Sequence, residues 1–358
     1  GAPGLRFGFF PSYAVGWVIS EEHLIKDNLP FINYLKARYS YGKVGSDMGA
    51  PRFTYTTDYS SGGTAPFGEN AITWYGPMYF EGAAANRNAT WETSTKQNLG
   101  LELRLLHKLS FNAEFYEERR NGILMTRRTI PIWFGTGNPS ANIGETKNHG
   151  YELEAAWDDK IGDFNYGIKA NYTFNENRVI FRDDPANVAN YQKEAGKPIG
   201  WNSMLLLNDM YSSWNDVYNW TASSWNSGLI PGDFKYVDYN GDGVIDAQDF
   251  VANGKLSYPA HTYGLTLSAG YKGFAINVMF YGVSGIDLAT PYELLWEFPG
   301  NNAMAWPYSV NRWTPETALT ATRPSLHMTT TRTHNAQNST FGFADASYWR
   351  LKTMELSY

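Results

Sequence analysis

Gly150-Tyr-Glu-Leu-Glu-Ala-Ala-Trp157, Asp158-Asp-Lys-Ile-Gly-Asp163 and Phe164-Asn-Tyr-Gly-Ile-Lys-Ala-Asn-Tyr-Thr-Phe-Asn175 read as a strand, a tight turn and a second strand. In the first, Tyr151, Leu153, Ala155 and Trp157 alternate with Glu152, Glu154 and Ala156. In the second, Phe164, Tyr166, Ile168, Ala170, Tyr172 and Phe174 alternate with Asn165, Gly167, Lys169, Asn171, Thr173 and Asn175. A period of two gathers the apolar side chains on one face and the polar ones on the other. The second strand, residues 164–175, is close to the ~9–11 residues that cross a bilayer at a tilt. Its aromatic residues lie toward both ends with Ile168 and Ala170 between them, as aromatic girdles at two membrane interfaces require. A single hairpin of this kind also suits a soluble β-sandwich, its apolar face packed on a second sheet. Repetition along the chain changes that reading.

Upstream, alternation recurs in Phe10–Ser20, in Leu35–Gly42, in Asn98–Leu105 and in Leu109–Tyr116. Downstream it recurs in Thr262–Tyr271 and in Phe274–Phe280, joined by the two-residue turn Lys272-Gly273. It appears again in Trp349–Tyr358, where it slips near Thr353–Met354 as at a β-bulge. Nine strands result, and the connections between them alternate short and long. A sandwich has no reason for that rhythm, whereas a transmembrane barrel has short periplasmic turns and long extracellular loops. The expected fold class is therefore all-β, an antiparallel transmembrane β-barrel segment. Residues 1–358 form one barrel domain, with long loops at about 43–96, 118–148, 176–261 and 283–346. Short strands are expected near Phe53–Tyr55 and Trp74–Phe80, and a helical turn near Glu22–Lys26. On the strands, Leu101, Leu103, Ile168, Ala170, Leu265, Leu267, Ile276 and Val278 are expected to face lipid. Glu102, Arg104, Glu152, Glu154 and Lys169 are expected to face the lumen.

Composition sets the bounds. Aromatic residues make up 16% of the chain and charged residues 18%, too aromatic and too lightly charged for disorder. No apolar run approaches the ~18 residues of a membrane-crossing helix. Alternating strands hide their hydrophobicity from window averages, so a negative mean hydropathy does not exclude a membrane barrel. A net charge of −6 argues against nucleic acid as a partner. Cysteine is absent, which removes disulfides and thiolate metal sites and suits an oxidising envelope compartment.

The sharpest local motif is Asp238-Tyr-Asn-Gly-Asp-Gly-Val-Ile-Asp-Ala-Gln-Asp249. Asp238, Asn240, Asp242, Asp246 and Asp249 stand at positions 1, 3, 5, 9 and 12 of a calcium loop. Gly243 stands at the turning position, and the Val244 carbonyl would supply the position-7 ligand. The last position is Asp rather than Glu, which shortens its reach. A plainer reading is a pair of Asn-Gly and Asp-Gly turns. The same loop carries Trp201, Tyr211, Trp214, Tyr218, Trp220 and Trp225. Such faces suit sugar rings or a protein partner, or else the loop's own small core. No H-E-x-x-H, G-x-S-x-G, P-loop or dinucleotide fingerprint occurs. Glu152 and Glu154 share a face with Lys36, Arg38, Arg104 and Lys169, so a charged lumen explains them better than a glycosidase pair. No enzyme is expected.

Several stretches resemble the SusC/RagA-type TonB-dependent transporters of the Gram-negative outer membrane. They are Phe7-Gly-Phe-Phe-Pro-Ser12 with Gly16-Trp17 and Ser20-Glu-Glu22, Leu35-Lys-Ala-Arg-Tyr-Ser-Tyr-Gly42, and Thr90-Trp-Glu-Thr-Ser-Thr-Lys96 with Gly100-Leu-Glu-Leu103. Gly232-Asp-Phe-Lys-Tyr236 running into the Asp238 motif, Tyr271-Lys-Gly-Phe274 and Ser347-Tyr-Trp-Arg-Leu-Lys352 complete the set, in the family's order. The resemblance implies a share of a barrel of about 22 strands around an N-terminal plug. It also implies TonB as energy source, outer-membrane lipid around the barrel, a SusD-like lipoprotein as lid, and an oligosaccharide or peptide as cargo. Trp214, Tyr218, Trp220 and Trp225 become candidates for substrate or lid contact, and Ca²⁺ a structural ion. The family's TonB box, plug and early strands find no match here, and its pattern continues past the match to Tyr358. The expectation is that these residues alone do not transport. Two other classes are a soluble calcium- and glycan-binding β module and an extracellular polysaccharide-degrading β enzyme. An uncovered apolar strand face separates the first reading from both.

Overall fold

The computed structural model describes residues 2–67, 73–226, 228–252, 254, 256–298, 304–328 and 333–358. Nine strands hydrogen-bond in chain order into one antiparallel sheet. They are β1 (Ser12–Val18), β2 (Ile32–Ser46), β3 (Glu92–Leu105), β4 (Leu109–Thr126), β5 (Ser140–Ile161), β6 (Phe164–Phe181), β7 (His261–Tyr271), β8 (Phe274–Ser284) and β9 (Tyr348–Ser357). β1 and β9 are the two edges. The turn at Lys272-Gly273 has φ values of 45 and 90, the left-handed pair that a two-residue hairpin needs.

Register carries the alternation across the whole sheet. Leu35, Leu103, Phe111, Ala155, Ala170, Leu265, Phe280 and Leu351 stand opposite one another in one row from β2 to β9. The adjacent row, on the other face, holds Lys36, Glu102, Asn112, Glu154 and Asn171. A one-residue slip would exchange the two faces, so both faces must be specified at once. The bulge falls at Lys352, which lies between the pairs Thr353–Met279 and Leu351–Phe280.

Strand ends differ from the sequence reading. β4 runs to Thr126 and β5 begins at Ser140, so the connection expected at 118–148 is 127–139. Glu117, Glu118, Arg119 and Arg120 are charged on both faces, which hides a strand from any apolar period. Phe53–Tyr55 lies in turns, and the outer hairpin is Tyr59–Phe67 paired with Thr73–Glu81. The helical turn near Glu22 is His23–Asn28. The other long connections are 47–91, 182–260 and 285–347.

The sheet's apolar face is uncovered: Val15 is 65% exposed, Leu99 50%, Ile168 47% and Leu356 72%. The buried core sits elsewhere, in the two longest connections. Leu205, Phe234, Tyr236, Ile245 and Trp296 form it, with Trp220, Trp225, Phe250 and Phe341 packed around them. Backbone bonds tie the two connections, from Leu205 N to Asn338 O (2.9 Å), from Thr340 N to Leu205 O (3.0 Å) and from Ser325 N to Gly232 O (2.9 Å). A sandwich would have buried the sheet face instead.

Candidate functional site

The polar face is a wall of paired charges. The Arg38 guanidinium lies 3.5 Å from Glu102 and also bonds Glu114, while Lys36 approaches Glu102 at 4.0 Å. Gly100 makes this possible, because a Cβ there would lie 2.6 Å from Arg38 Nε. Asn98 Nδ2 donates to Glu114 (3.1 Å), Ser94 Oγ to Glu118 (2.6 Å) and Tyr116 OH to Asn175 Oδ1 (3.1 Å). Lys169 meets Glu154 at 2.9 Å and Lys96 meets Glu118 at 3.6 Å. The expected lumen residues Glu102, Arg104, Glu152, Glu154 and Lys169 all share this face. Most of these charges keep partial contact with water, so the wall is wet and balanced in sign.

The apolar face has sharp limits along the strands. At one end of β5, Lys147 pairs with Glu117 (2.7 Å) and His149 approaches Glu176 (3.6 Å). At the other end Asp159 pairs with Lys108 (2.9 Å). Tyr151, Leu153, Ala155 and Trp157 lie between these charges on the same face. All eight residues expected on the lipid side lie on that face.

Above the wall, the two long connections make one lobe. Asp183, just beyond β6, accepts from Arg127 Nε (3.0 Å), Arg128 N (2.6 Å) and Thr129 N (3.1 Å), clamping the ends of two hairpins. Burial alone would raise its carboxyl, but these donors outweigh burial and lower it to about 2.

The Asp238 motif folds as a compact turn. Asp238 accepts from Gly241 N (2.8 Å) and Gly243 N (2.9 Å), Asn240 Oδ1 from Asp242 N (2.9 Å), and Asp242 from Val244 N (2.9 Å). Asp249 is fully buried at the centre and accepts from Tyr239 N (2.7 Å), Asn240 N (3.2 Å) and Asp246 N (2.8 Å). Asp246 caps the short helix Ala247–Asp249. The donor set is that of a hard cation, but backbone amides hold its oxygens. Among the described residues no three His, Cys, Asp or Glu side chains converge to metal-holding distance.

The four candidate aromatics divide. Trp220 donates its Nε1–H to Tyr236 O (2.9 Å) and lies under Lys235, and Trp225 packs edge-on against Phe250. Both belong to the lobe's core. Trp214 and Tyr218 stack with rings 6.0 Å apart and remain exposed. Trp214 also borders a cleft of about 650 Å³ that sequence reasoning missed. Trp313, Pro315, Pro231, Ser212 and Thr314 share its walls, which carry no ionisable side chain. No local spacing signals it, because its two Trp residues are far apart in the chain.

A family model described as TonB-dependent receptor-like, β-barrel, matches residues 4–283. TonB-dependent receptor P26 of Formosa agariphila is 26% identical over 364 residues, covering 99% of this chain and 35% of that protein. TonB-dependent receptor SusC of Bacteroides thetaiotaomicron is 28% identical over 282 residues, covering 75% of this chain and 27% of that protein. The chain thus spans about a third of the length of these relatives. Among solved structures, the RagAB peptide importer in its closed-closed state superposes with a TM-score of 0.70 at 20% identity, covering 99% of this chain and 37% of that chain.

Proposed function

Because the chain belongs to the TonB-dependent receptor-like β-barrel family, we propose that it forms part of the barrel of a SusC/RagA-type nutrient importer. Its place is the outer membrane of a Gram-negative cell, where lipid covers the apolar face and water fills the polar one. The observation that carries the reading is the pair of faces held in register across nine strands, one uncovered and apolar, the other lined with paired charges. TonB supplies energy through a part of the protein outside these residues, and a SusD-like lipoprotein closes the mouth. The lumen carboxylates are given no catalytic role.

The cargo is an oligosaccharide. Supporting this, the cleft beside Trp214 and Trp313 offers indole faces and hydroxyls without a charge, which suits the apolar faces and hydroxyl edges of sugars. Trp214 and Tyr218 are assigned to substrate or lid contact. Calcium is a structural ion of the lobe, and Asp238, Asn240, Asp242, the Val244 carbonyl, Asp246 and Asp249 are the residues that would hold it. The ligand order, with left-handed Gly241 and Gly243 at the turns, supports this. A cation there would neutralise four carboxylates and stiffen the turn.

Uptake of labelled oligosaccharides and peptides by cells with and without the gene tests the reading. Loss of oligosaccharide uptake alone is expected. Loss of peptide uptake alone would move the cargo to peptides, and no change in either would refute import.

A further inference from the structure

We infer that His334 is a proton-operated latch, holding the two longest connections together and loosening them on acidification. The latch lies where Ser223 and Asp233–Tyr236 of one connection meet His327, His334 and Asn335 of the other. Asp233 is the hub: its carboxylate accepts from His327 Nε2 (2.6 Å), Asn335 Nδ2 (2.8 Å) and Ile230 N (2.9 Å). Asn335 Oδ1 in turn accepts from Phe234 N (2.9 Å). The His334 ring bridges the same seam. Its Nε2 is 2.6 Å from Phe234 O and its Nδ1 is 3.0 Å from Ser223 Oγ.

Donor counting fixes the tautomer. A carbonyl only accepts, so Nε2 carries a hydrogen. In the neutral ring Nδ1 is then bare, and Ser223 Oγ, which accepts from Trp225 N (3.2 Å), gives it its own proton. Protonating Nδ1 would turn that contact round and leave the Ser223 hydroxyl proton without an acceptor among the described residues. Ser223 is 4% exposed and His334 2%, so water has little access to relieve the conflict.

The titratable groups around His334 are Asp233, Tyr236 and Tyr211 on the facing connection, and His327 on its own connection. Burial lowers the imidazole's proton affinity. The Phe234 carbonyl and Asp233 oppose that effect without reversing it, and His327 adds to it. The folded state therefore prefers neutral His334 more strongly than the open state does. That preference is fully present above the ordinary value of 6.5 and is lost as pH falls through the lowered one. An acid environment thus loosens the seam between the two connections over the barrel mouth, while the strands stay paired.

Hydrogen exchange of the detergent-solubilised protein, corrected for intrinsic rates, tests this between pH 7.5 and 5. Peptides within 223–236 and 333–341 should gain exchange by about tenfold per pH unit below the ordinary histidine value, the response of an opening linked to one proton. β5 and β6 should not respond. His334→Gln should abolish the step and His327→Gln should keep it. Ser223→Ala, which removes the hydroxyl that only a bare Nδ1 can accept from, should shrink the step even if His334→Gln fails to fold. No step in the unaltered protein, a step that survives His334→Gln, or an unchanged step in Ser223→Ala would each overturn the latch.

Discussion

Leu153→Arg is the substitution that most directly probes the two-faced sheet. On the outward face of β5 the apolar run is bounded by His149, beside Glu176, and by Asp159, held by Lys108. They stand ten positions apart. At ~3.3 Å per residue and a tilt of ~40°, that span rises roughly 25 Å, the height of the apolar band of an outer-membrane barrel. Leu153 lies near the middle, opposite Ala113 on one side and Tyr172 on the other. An arginine at that depth should cost ~2–4 kcal/mol, falling to ~0–1 near the ends of the span. Asn171 faces Glu154 on the wet wall, so Asn171→Arg should cost well under ~1 kcal/mol. Equilibrium unfolding from lipid vesicles, followed by tryptophan fluorescence, resolves the difference. A gap of ~2 kcal/mol is roughly 30-fold in the folding constant. Equal penalties at the two sites, or a larger one at Asn171, would refute the assignment of faces.

Asp183→Asn should weaken the clamp on Arg127–Thr129 by roughly 1–3 kcal/mol, because buried donors lose a charged acceptor. Since the Asp183 carboxyl is lowered to about 2, the clamp's stabilisation is present above 3.8 and lost as pH falls toward 2. Protease cleavage near 127–129 should follow that fall, and an unchanged profile in Asp183→Asn would remove the clamp. Asp242→Ala should abolish calcium binding, which at an extracellular site is as weak as ~10⁻⁴–10⁻³ M, and should speed proteolysis within 231–256. Calorimetry that finds no calcium binding dependent on Asp242, with a loop still resistant in chelator, returns the motif to a plain turn. Trp225→Ala should lower the lobe's stability by about 3 kcal/mol through a cavity. Trp214→Ala should stay within about 0.5 kcal/mol while reducing uptake or lid association; unchanged uptake and association would leave Trp214 without a contact role.

The strands and their faces were legible because each carries its own signal. A period of two in Tyr151–Trp157 or Leu99–Leu105 names a strand and a face without knowledge of any neighbour. The alternation of short and long connections then pointed to the barrel. The limits of the strands were less legible. From Glu117 to Arg120 both faces meet water or counter-charges, so hydrophobicity does not alternate, and the ladder there is set by pairing with Thr146–His149. The loop aromatics were legible as a group but not by role. Trp220 and Trp225 turn inward because Phe234, Tyr236 and Ile245 arrive beside them, whereas Trp214 and Tyr218 meet nothing comparable. Asp183 with Arg127, Asp233 with His327 and Ser223 with His334 left no trace in the sequence. Each joins residues more than fifty positions apart through one or two hydrogen bonds. Periodicity is a property of neighbours along a chain, and a buried polar contact is a property of neighbours in space. Only the folded connections, closing over a common core, bring those donors and acceptors within reach.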